Sequence, residues 1–268
     1  MIKKIFILLA VVLIIDGCAR VPLSGRRQLS IIGNEEILPM SYDQYSQMMA
    51  ESKLVTQSPQ GQMVVNVGNR IAKAVETYLK ERGYEDELEG FAWEFNLIES
   101  DQVNAWAMPG GKVAFYTGIM PIAKDATGVA VVMGHEVAHA IANHARERMS
   151  QGLVANGLIG GLQVAMGQNP TLTQTIFLQA VGVGGQVGML KFGRNQELEA
   201  DELGLTFMAI AGYDPREAPR FWERMEAQAG DGARPPEFLS THPGPNRRIQ
   251  KLNDMMPAAM EYYNRNKR

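Results

Sequence analysis

The sequence predicts an α+β fold in which helices dominate and strands are few. Several long segments repeat apolar residues at helical spacing between residues that typically begin and end helices. Only two short segments, Phe91–Glu99 and Lys112–Thr117, have the composition of strands. The chain has 268 residues, 46% of them hydrophobic, which suffices for a large core. We assign residues 58–268 to one main domain.

Residues 1–18 have the pattern of a bacterial lipoprotein signal peptide. Two lysines precede the apolar run Ile5–Ile15, which is short for a membrane span of about 20 residues. The run leads to Cys18 in a context that resembles a lipobox, whose cysteine is lipidated and becomes the mature N-terminus. Asp16 departs from that pattern, so an ordinary signal peptide or an uncleaved anchor remains an alternative. Lipidation of Cys18, followed by the non-acidic Ala19, predicts anchoring at the outer membrane with the body in the periplasm.

Residues 19–57 are predicted to form an N-terminal tether and helix. The first part, rich in Pro, Gly, Ser and Arg, indicates a tether or a strand on the domain surface. Asn34–Ser52 is predicted to be a helix with an acidic first turn. Ser58 and Pro59 then suit the cap and first position of a second helix, which Gly83 ends.

The segment Val129–Arg148 contains the sequence HEVAH and is predicted to be a buried helix. His135 and His139 lie about 40° apart round such a helix, so both imidazoles can bind one ion. Zinc suits two histidines, and Glu136 lies where it can act as general base on a metal-bound water. A helix with two structural histidines is the alternative. The chain has only 4 histidines, and the placement of two of them here favours the metal.

Two histidines leave zinc short of a protein ligand. His144 lies half a turn from the first histidine on a continuous helix, so we expect it to face away. The helix predicted for Arg194–Gly212 offers Glu197 as the better candidate, but spacing alone leaves Glu199 open, and a solvated acidic face is the alternative. Asp201, one turn after Glu197, could accept a hydrogen bond from a ligand histidine and fix its tautomer.

The strand nearest this helix could contact a substrate. A loop is predicted before it, ending in the pair Gly110-Gly111, which permits a tight turn. Because Lys112–Thr117 immediately precedes the histidine helix, its free edge could pair with an extended substrate backbone. An ordinary core hairpin is equally consistent with the sequence.

Residues 150–192 are rich in Gly, Ala, Val, Leu and Gln and nearly free of charge. This composition predicts two helices, each interrupted by glycines. Neither helix offers an uninterrupted apolar span of about 20 residues, the length needed to cross a membrane. The helices could pack on the histidine helix, or form a lid or a membrane-facing hairpin over the cleft. Further on, a helix to about Gln228, a Pro/Gly-rich loop and a last helix over Asn246–Met256 complete the chain.

HEVAH followed about 60 residues later by ELEAD resembles metallopeptidase family forty-eight. The resemblance implies that Glu197 is the third ligand of one zinc ion per chain and that Asp201 supports the site. It also implies a gluzincin fold, mostly helical, with a small β-sheet beside the HExxH helix.

Two further motifs extend the resemblance. The family's NA…PGG stretch implies substrate-binding roles for Asn104, Ala105, Gly110 and Gly111. Its THP…R element implies that His242 and Arg248 act in catalysis, by stabilising the oxyanion or holding the substrate carbonyl. A neutral His242 could instead occupy the open zinc position and keep the enzyme latent.

These features together predict a zinc-dependent endopeptidase for unfolded or misassembled cell-envelope proteins, with Glu136 activating a zinc-bound water. The predicted partners are protein or peptide substrates, the membrane through Cys18, and envelope assembly machinery. The net charge of -3 gives no indication of nucleic-acid binding, and the single cysteine excludes an internal disulfide. An outer-membrane assembly or chaperone-like factor with a latent zinc site is the main alternative, and a non-peptide zinc hydrolase is another.

Overall fold

The computed structural model describes residues 18–157, 170–181, 193–230, 238–239, 242 and 245–267. Most of the predicted signal peptide lies outside these residues, as do two stretches of residues 150–192, for which packed helices, a lid or a membrane-facing hairpin were considered. Those interpretations stay predictions.

Within the described ranges the chain forms nine α-helices and five strands. The strands are β1 (Cys18–Arg20), β2 (Arg27–Leu29), β3 (Glu94–Ile98), β4 (Ala105–Met108) and β5 (Lys112–Tyr116). The helices are α1 (Asn34–Glu51), α2 (Pro59–Glu81), α3 (Met120–Ala123), α4 (Ala126–Ile141), α5 (His144–Ala155), α6 (Pro170–Val181), α7 (Arg194–Ile210), α8 (Glu217–Gly230) and α9 (Pro245–Asn266). The preponderance of helix confirms the predicted α+β class. Among the helices of the described residues, none combines the length and apolar character needed to cross a membrane.

The three-stranded sheet has the order β3-β5-β4, with β5 parallel to β3 and antiparallel to β4. β4 lies where the sequence predicts a loop. This strand is only four residues long, and a turn at Gly110-Gly111 with positive φ at both glycines joins it to β5. Because β5 pairs on both sides, the expectation that Lys112–Thr117 carries the free edge is wrong. The two edge strands are β3 and β4, and β4 is the one that contacts the histidine helix α4.

Helices α4 and α7 approach each other unusually closely. A Cβ atom added at Gly204 would lie only 2.8 Å from the carbonyl carbon of Gly134 and the nitrogen of His135. Only glycine allows backbones to approach so closely at both positions. Gly134 directly precedes His135 and Gly204 follows Asp201 by three residues, so this contact holds α4 and α7 close together beside the histidines and the acidic residues.

The predicted helix Val129–Arg148 is broken in two. α4 ends at Ile141, and Asn143 adopts the left-handed conformation with φ 57° and ψ 33° before α5 begins. Asparagine tolerates this conformation better than most residues. The chain therefore changes direction at Asn143, and residues after it are not placed by the periodicity of α4.

The last helix is longer than expected. α9 continues to Asn266, although the sequence predicted an end at Met256. Proline inside a helix is costly, and Pro257 lies within α9. Leu252 and Ala259, on either side of it, are buried in the main core. Packing of this apolar face stabilises the helix against the cost of the proline.

The N-terminal segment packs onto the domain. β1 and β2 form an antiparallel hairpin in which Arg20 lies opposite Arg27. Val21, in the connecting turn, is buried in the main core. α1 follows, and its Tyr45 hydroxyl donates a hydrogen bond of 3.1 Å to the carbonyl oxygen of Val113 on β5. Both parts of the predicted tether and helix thus contact the main domain.

Candidate metal centre

Four buried side chains converge where α4 faces α7. His135, His139, Glu197 and His242 each offer a ligand atom, and these atoms all lie within 4.8 Å of one another. The Nε2 atoms of His135 and His139 are 3.0 Å apart. Glu197 Oε1 lies 3.5 Å from His139 Nε2 and 3.0 Å from His242 Nδ1. Nitrogen and carboxylate donors converge on one small volume.

The chemistry of these donors fits a zinc ion. Burial lowers the pKa of His135 to about 4 and that of His139 well below its usual value, so both rings are neutral and can coordinate. Burial alone would raise the pKa of Glu197, but the neighbouring side chains of His242 and Arg248 outweigh burial and hold the pKa of this carboxyl well below its usual value, so the carboxylate is ionised. Two neutral imidazoles and a carboxylate are a donor set that zinc prefers.

Glu136 lies between the donor cluster and the edge strand. Its side chain is buried, and its carboxylate accepts a hydrogen bond from the backbone of Ala107 on β4. Oε1 makes no hydrogen bond within the described residues, and His242 Nε2 is 3.5 Å away. Burial raises the pKa of Glu136 to about 7. Such a carboxylate can both accept and release a proton near neutral pH.

The ring of His135 is held by a carboxylate behind it. Its Nδ1 lies 3.1 Å from Asp201 Oδ1. Arg248 of α9 donates to both oxygens of Asp201, with Nε and Nη2 each at 2.6 Å. Its Nη1 forms an ion pair of 2.8 Å with Glu197 Oε2, and its guanidinium stacks 3.6 Å above the ring of Trp222. We call Asp201 and Arg248 the Asp201 support.

The ring of His139 is held by a second imidazole. His139 Nδ1 lies 2.7 Å from His144 Nδ1, and His144 Nε2 lies 2.8 Å from Glu199 Oε2. We call His144 and Glu199 the Glu199 support. The expectation that His144 faces away is wrong, because the helix breaks at Asn143 and the next one starts in a new direction. A solvated position for Glu199 is also wrong, since the residue is buried.

The sequence offered one signal for the Glu199 support. Asn143 follows a long apolar helix and is a residue type that often ends helices in the left-handed conformation. A break there would have freed His144 from the periodicity of α4. The partnership with Glu199 had no such signal, because it joins residues 55 positions apart.

The four predicted substrate-binding residues bracket the edge strand. Asn104 and Ala105 lie at its start, where the side-chain oxygen of Asn104 accepts a hydrogen bond of 3.0 Å from the nitrogen of Ala105. Gly110 and Gly111 form the turn after it. They shape the two ends of β4, and contact with substrate stays a prediction. Cys18 begins β1, and its lipidation also stays a prediction.

Comparison with known proteins gives the family. A model of peptidase family M48 matches residues 67–256. The mitochondrial metalloendopeptidase OMA1 of Schizosaccharomyces pombe is 31% identical over 242 residues, which cover 89% of this chain and 66% of the relative. That of Saccharomyces cerevisiae is 30% identical over 266 residues, covering 94% and 75%. The β-barrel assembly-enhancing protease of Escherichia coli is 32% identical over 180 residues, covering 62% and 36%.

The chain thus spans from about a third to three quarters of the length of these relatives. The predictions of family, enzyme class and zinc are confirmed by the matched family model together with the donor cluster. The chain belongs to peptidase family M48, a family of zinc-dependent metallopeptidases.

Proposed function

We propose that this chain is a zinc-dependent endopeptidase that cleaves unfolded or misassembled proteins of the cell envelope. One observation carries the proposal: the donor cluster lies beside a buried Glu136, and Glu136 is hydrogen bonded to the edge strand β4. A metal site, a proton-transfer group and a surface for an extended peptide are therefore contiguous.

In this proposal His135, His139 and Glu197 hold the zinc. When bound there, zinc would polarise the scissile carbonyl and lower the pKa of a coordinated water. The Asp201 support keeps the hydrogen of His135 on Nδ1, which leaves Nε2 free to coordinate. The role of the protein around the metal is thus to fix two neutral rings in one tautomer and one orientation.

Glu136 acts as the general base and then as the general acid. It accepts a proton from the attacking water and passes it to the amide nitrogen that leaves. The contact with the backbone of Ala107 places this carboxylate beside β4. An extended peptide that pairs with the free edge of β4 would present its carbonyl groups at a fixed distance from Glu136. Asn104, Ala105, Gly110 and Gly111 would shape that edge.

His242 and Arg248 have different places in the mechanism. Arg248 is buried against Asp201 and Glu197, so we infer that it positions these carboxylates. His242 Nδ1 lies 3.1 Å from His135 Nε2 and 3.0 Å from Glu197 Oε1, within the donor cluster itself. At this place the ring competes with water for the metal, which favours a latency role.

The substrate and location are supported more indirectly. One relative is named for enhancing β-barrel assembly in a bacterium, which agrees with an envelope substrate, whereas other relatives are mitochondrial. The lipoprotein-like sequence ending at Cys18 supports a periplasmic protein anchored at the outer membrane, with envelope assembly machinery as a partner. A chaperone-like factor with a latent zinc site is the alternative.

The test is proteolysis of unfolded casein by the purified, zinc-loaded chain with and without a chelator. Glu136→Gln should retain zinc and lose at least about 100-fold in turnover, because the amide cannot accept the proton. Near-normal cleavage by the metal-loaded variant would contradict the mechanism. A zinc-loaded wild type that binds casein without cleaving it would favour the chaperone-like alternative.

A further inference from the structure

The turn of the N-terminal hairpin reaches the Glu199 support. Arg26 Nε donates to Glu199 Oε2 at 2.8 Å. The other end of the same guanidinium donates to both oxygens of Glu147 on α5, at 3.0 and 2.8 Å. Ser24, in the same turn, donates its hydroxyl hydrogen to Glu199 Oε1. Ser24 and Arg26, both in the N-terminal hairpin, therefore contact the carboxylate of Glu199, which in turn contacts His144.

These contacts join three separate parts of the chain. Ser24 and Arg26 precede residues 67–256, which the family model matches. Glu147 follows the break at Asn143, and it also accepts a hydrogen bond of 2.7 Å from the side chain of Gln196 on α7. Arg26 thus bridges α5 and α7 near His144, the first residue of α5.

A chain of hydrogen bonds connects the donor cluster with Arg26. If His139 coordinates through Nε2, its hydrogen lies on Nδ1 and is donated to His144 Nδ1 at 2.7 Å. The hydrogen of His144 then lies on Nε2 and is donated to Glu199 Oε2 at 2.8 Å. With both rings neutral, this order of donors and acceptors uses one tautomer of each ring. The carboxylate of Glu199 is the final acceptor, and Arg26 and Ser24 fix its orientation.

The burial of the carboxylates distinguishes this contact from an ordinary surface ion pair. The side chains of Glu199 and Glu147 are 6% and 9% exposed, whereas that of Arg26 is 26% exposed. Exposed pairs contribute little because water replaces either partner. Here water reaches mainly Arg26. Removal of Arg26 would therefore leave the buried carboxylates of Glu147 and Glu199 without their shared cation.

We propose that Arg26 is a positioning residue for the metal centre, so that the N-terminal hairpin forms part of the zinc site. By fixing Glu199, it holds His144 and, through His144, the ring of His139. The inference rests on the proposed function, in which His139 is a zinc ligand. It predicts that zinc affinity depends on a residue well outside the metal-binding helices.

The test compares Arg26→Ala with Arg27→Ala in the full chain. Arg27 is the next residue, is exposed, and has the same charge, so it is a matched control. Zinc affinity is measured by competition with a chromophoric chelator. Arg26→Ala should weaken zinc binding about tenfold, as loss of outer partners of metal ligands does, and Arg27→Ala should stay close to wild type. Cobalt substitution gives a second readout, and its visible spectrum should change in Arg26→Ala alone.

A double mutant separates positioning from general stability. If Arg26 acts through Glu199, then Arg26→Ala should add little further loss of affinity in a Glu199→Gln background. Additive losses would contradict this route. Should Arg26→Ala fail to fold, as judged by circular dichroism, Ser24→Ala removes one hydrogen bond to Glu199 and no charge. This variant should show a smaller loss and a similar spectral change, and wild-type affinity and spectrum would contradict the inference.

The outcomes distinguish the two proposals. A wild-type chain without zinc would overturn the ligand assignment and this inference with it. A wild type that binds zinc, together with equal affinities for Arg26→Ala and Arg27→Ala, would overturn this inference alone.

Discussion

The two histidines of α4 are held by different parts of the molecule. The ring of His135 contacts a carboxylate directly, at 3.1 Å from Asp201. The ring of His139 reaches its carboxylate through another imidazole, since His144 lies between it and Glu199. Both carboxylates belong to α7, where residues two apart lie about 200° apart and so face opposite sides of the helix. One helix therefore supports both rings.

The two supports differ in their exposure to water. The side chain of Arg248, which completes the Asp201 support, is 2% exposed, whereas Arg26 beside the Glu199 support is 26% exposed. Water can partly replace an exposed partner, but it cannot reach a sealed one. We therefore expect the Asp201 support to contribute more to metal affinity than the Glu199 support.

The largest effect should come from Glu197, the proposed carboxylate ligand of the zinc. Glu197→Ala should lose most of its zinc, because it removes a proposed ligand. Glu199→Ala, two residues away, should retain zinc with weaker affinity. Elemental analysis after dialysis measures both. Full occupancy in Glu197→Ala with loss in Glu199→Ala would exchange the roles of the two residues.

The variants Asp201→Ala and His144→Ala test whether the Asp201 support contributes more to zinc affinity than the Glu199 support. Loss of an outer partner of a metal ligand typically weakens binding by about 10- to 100-fold. We expect Asp201→Ala near the upper end, because it also leaves Arg248 without its main carboxylate, and His144→Ala near the lower end. Chelator competition gives both affinities, and circular dichroism verifies folding. Equal losses would show that burial does not distinguish the supports.

The smallest effect is expected at His242, which the Asp201 support also contacts. Arg248 Nη1 lies 3.4 Å from the backbone oxygen of His242. His242→Ala should raise cleavage of unfolded casein several-fold, because it frees a metal position for water. Lower activity would instead assign His242 to catalysis. Unchanged activity together with unchanged zinc affinity would make it a residue of the turn only.

Much of the centre could be predicted because it lies within single helices. The spacing of His135 and His139 places both rings on one face wherever the helix lies in the fold. The same reasoning placed Glu197 and Asp201 together on α7. The Ser58-Pro59 start of α2 was also predicted correctly, since capping depends on neighbouring residues. Zinc and the peptidase family followed from these local patterns and the resemblance that they carry.

Other features depended on packing between distant segments. The close approach of α4 and α7 at Gly134 and Gly204 brings Glu197 into the donor cluster. Residue spacing alone could not distinguish Glu197 from Glu199 as the ligand. β4 is too short to be recognised by alternation, and pairing with β5 defines it.

By itself the sequence determined which residues could bind zinc, because helical periodicity and side-chain chemistry are local properties. The tertiary structure alone decided what holds those residues in place. The break at Asn143 turns His144 towards His139, and the hairpin turn brings Arg26 to Glu199, 173 residues away. Contacts over such separations form only when the helices and the hairpin pack together, so no local pattern encodes them.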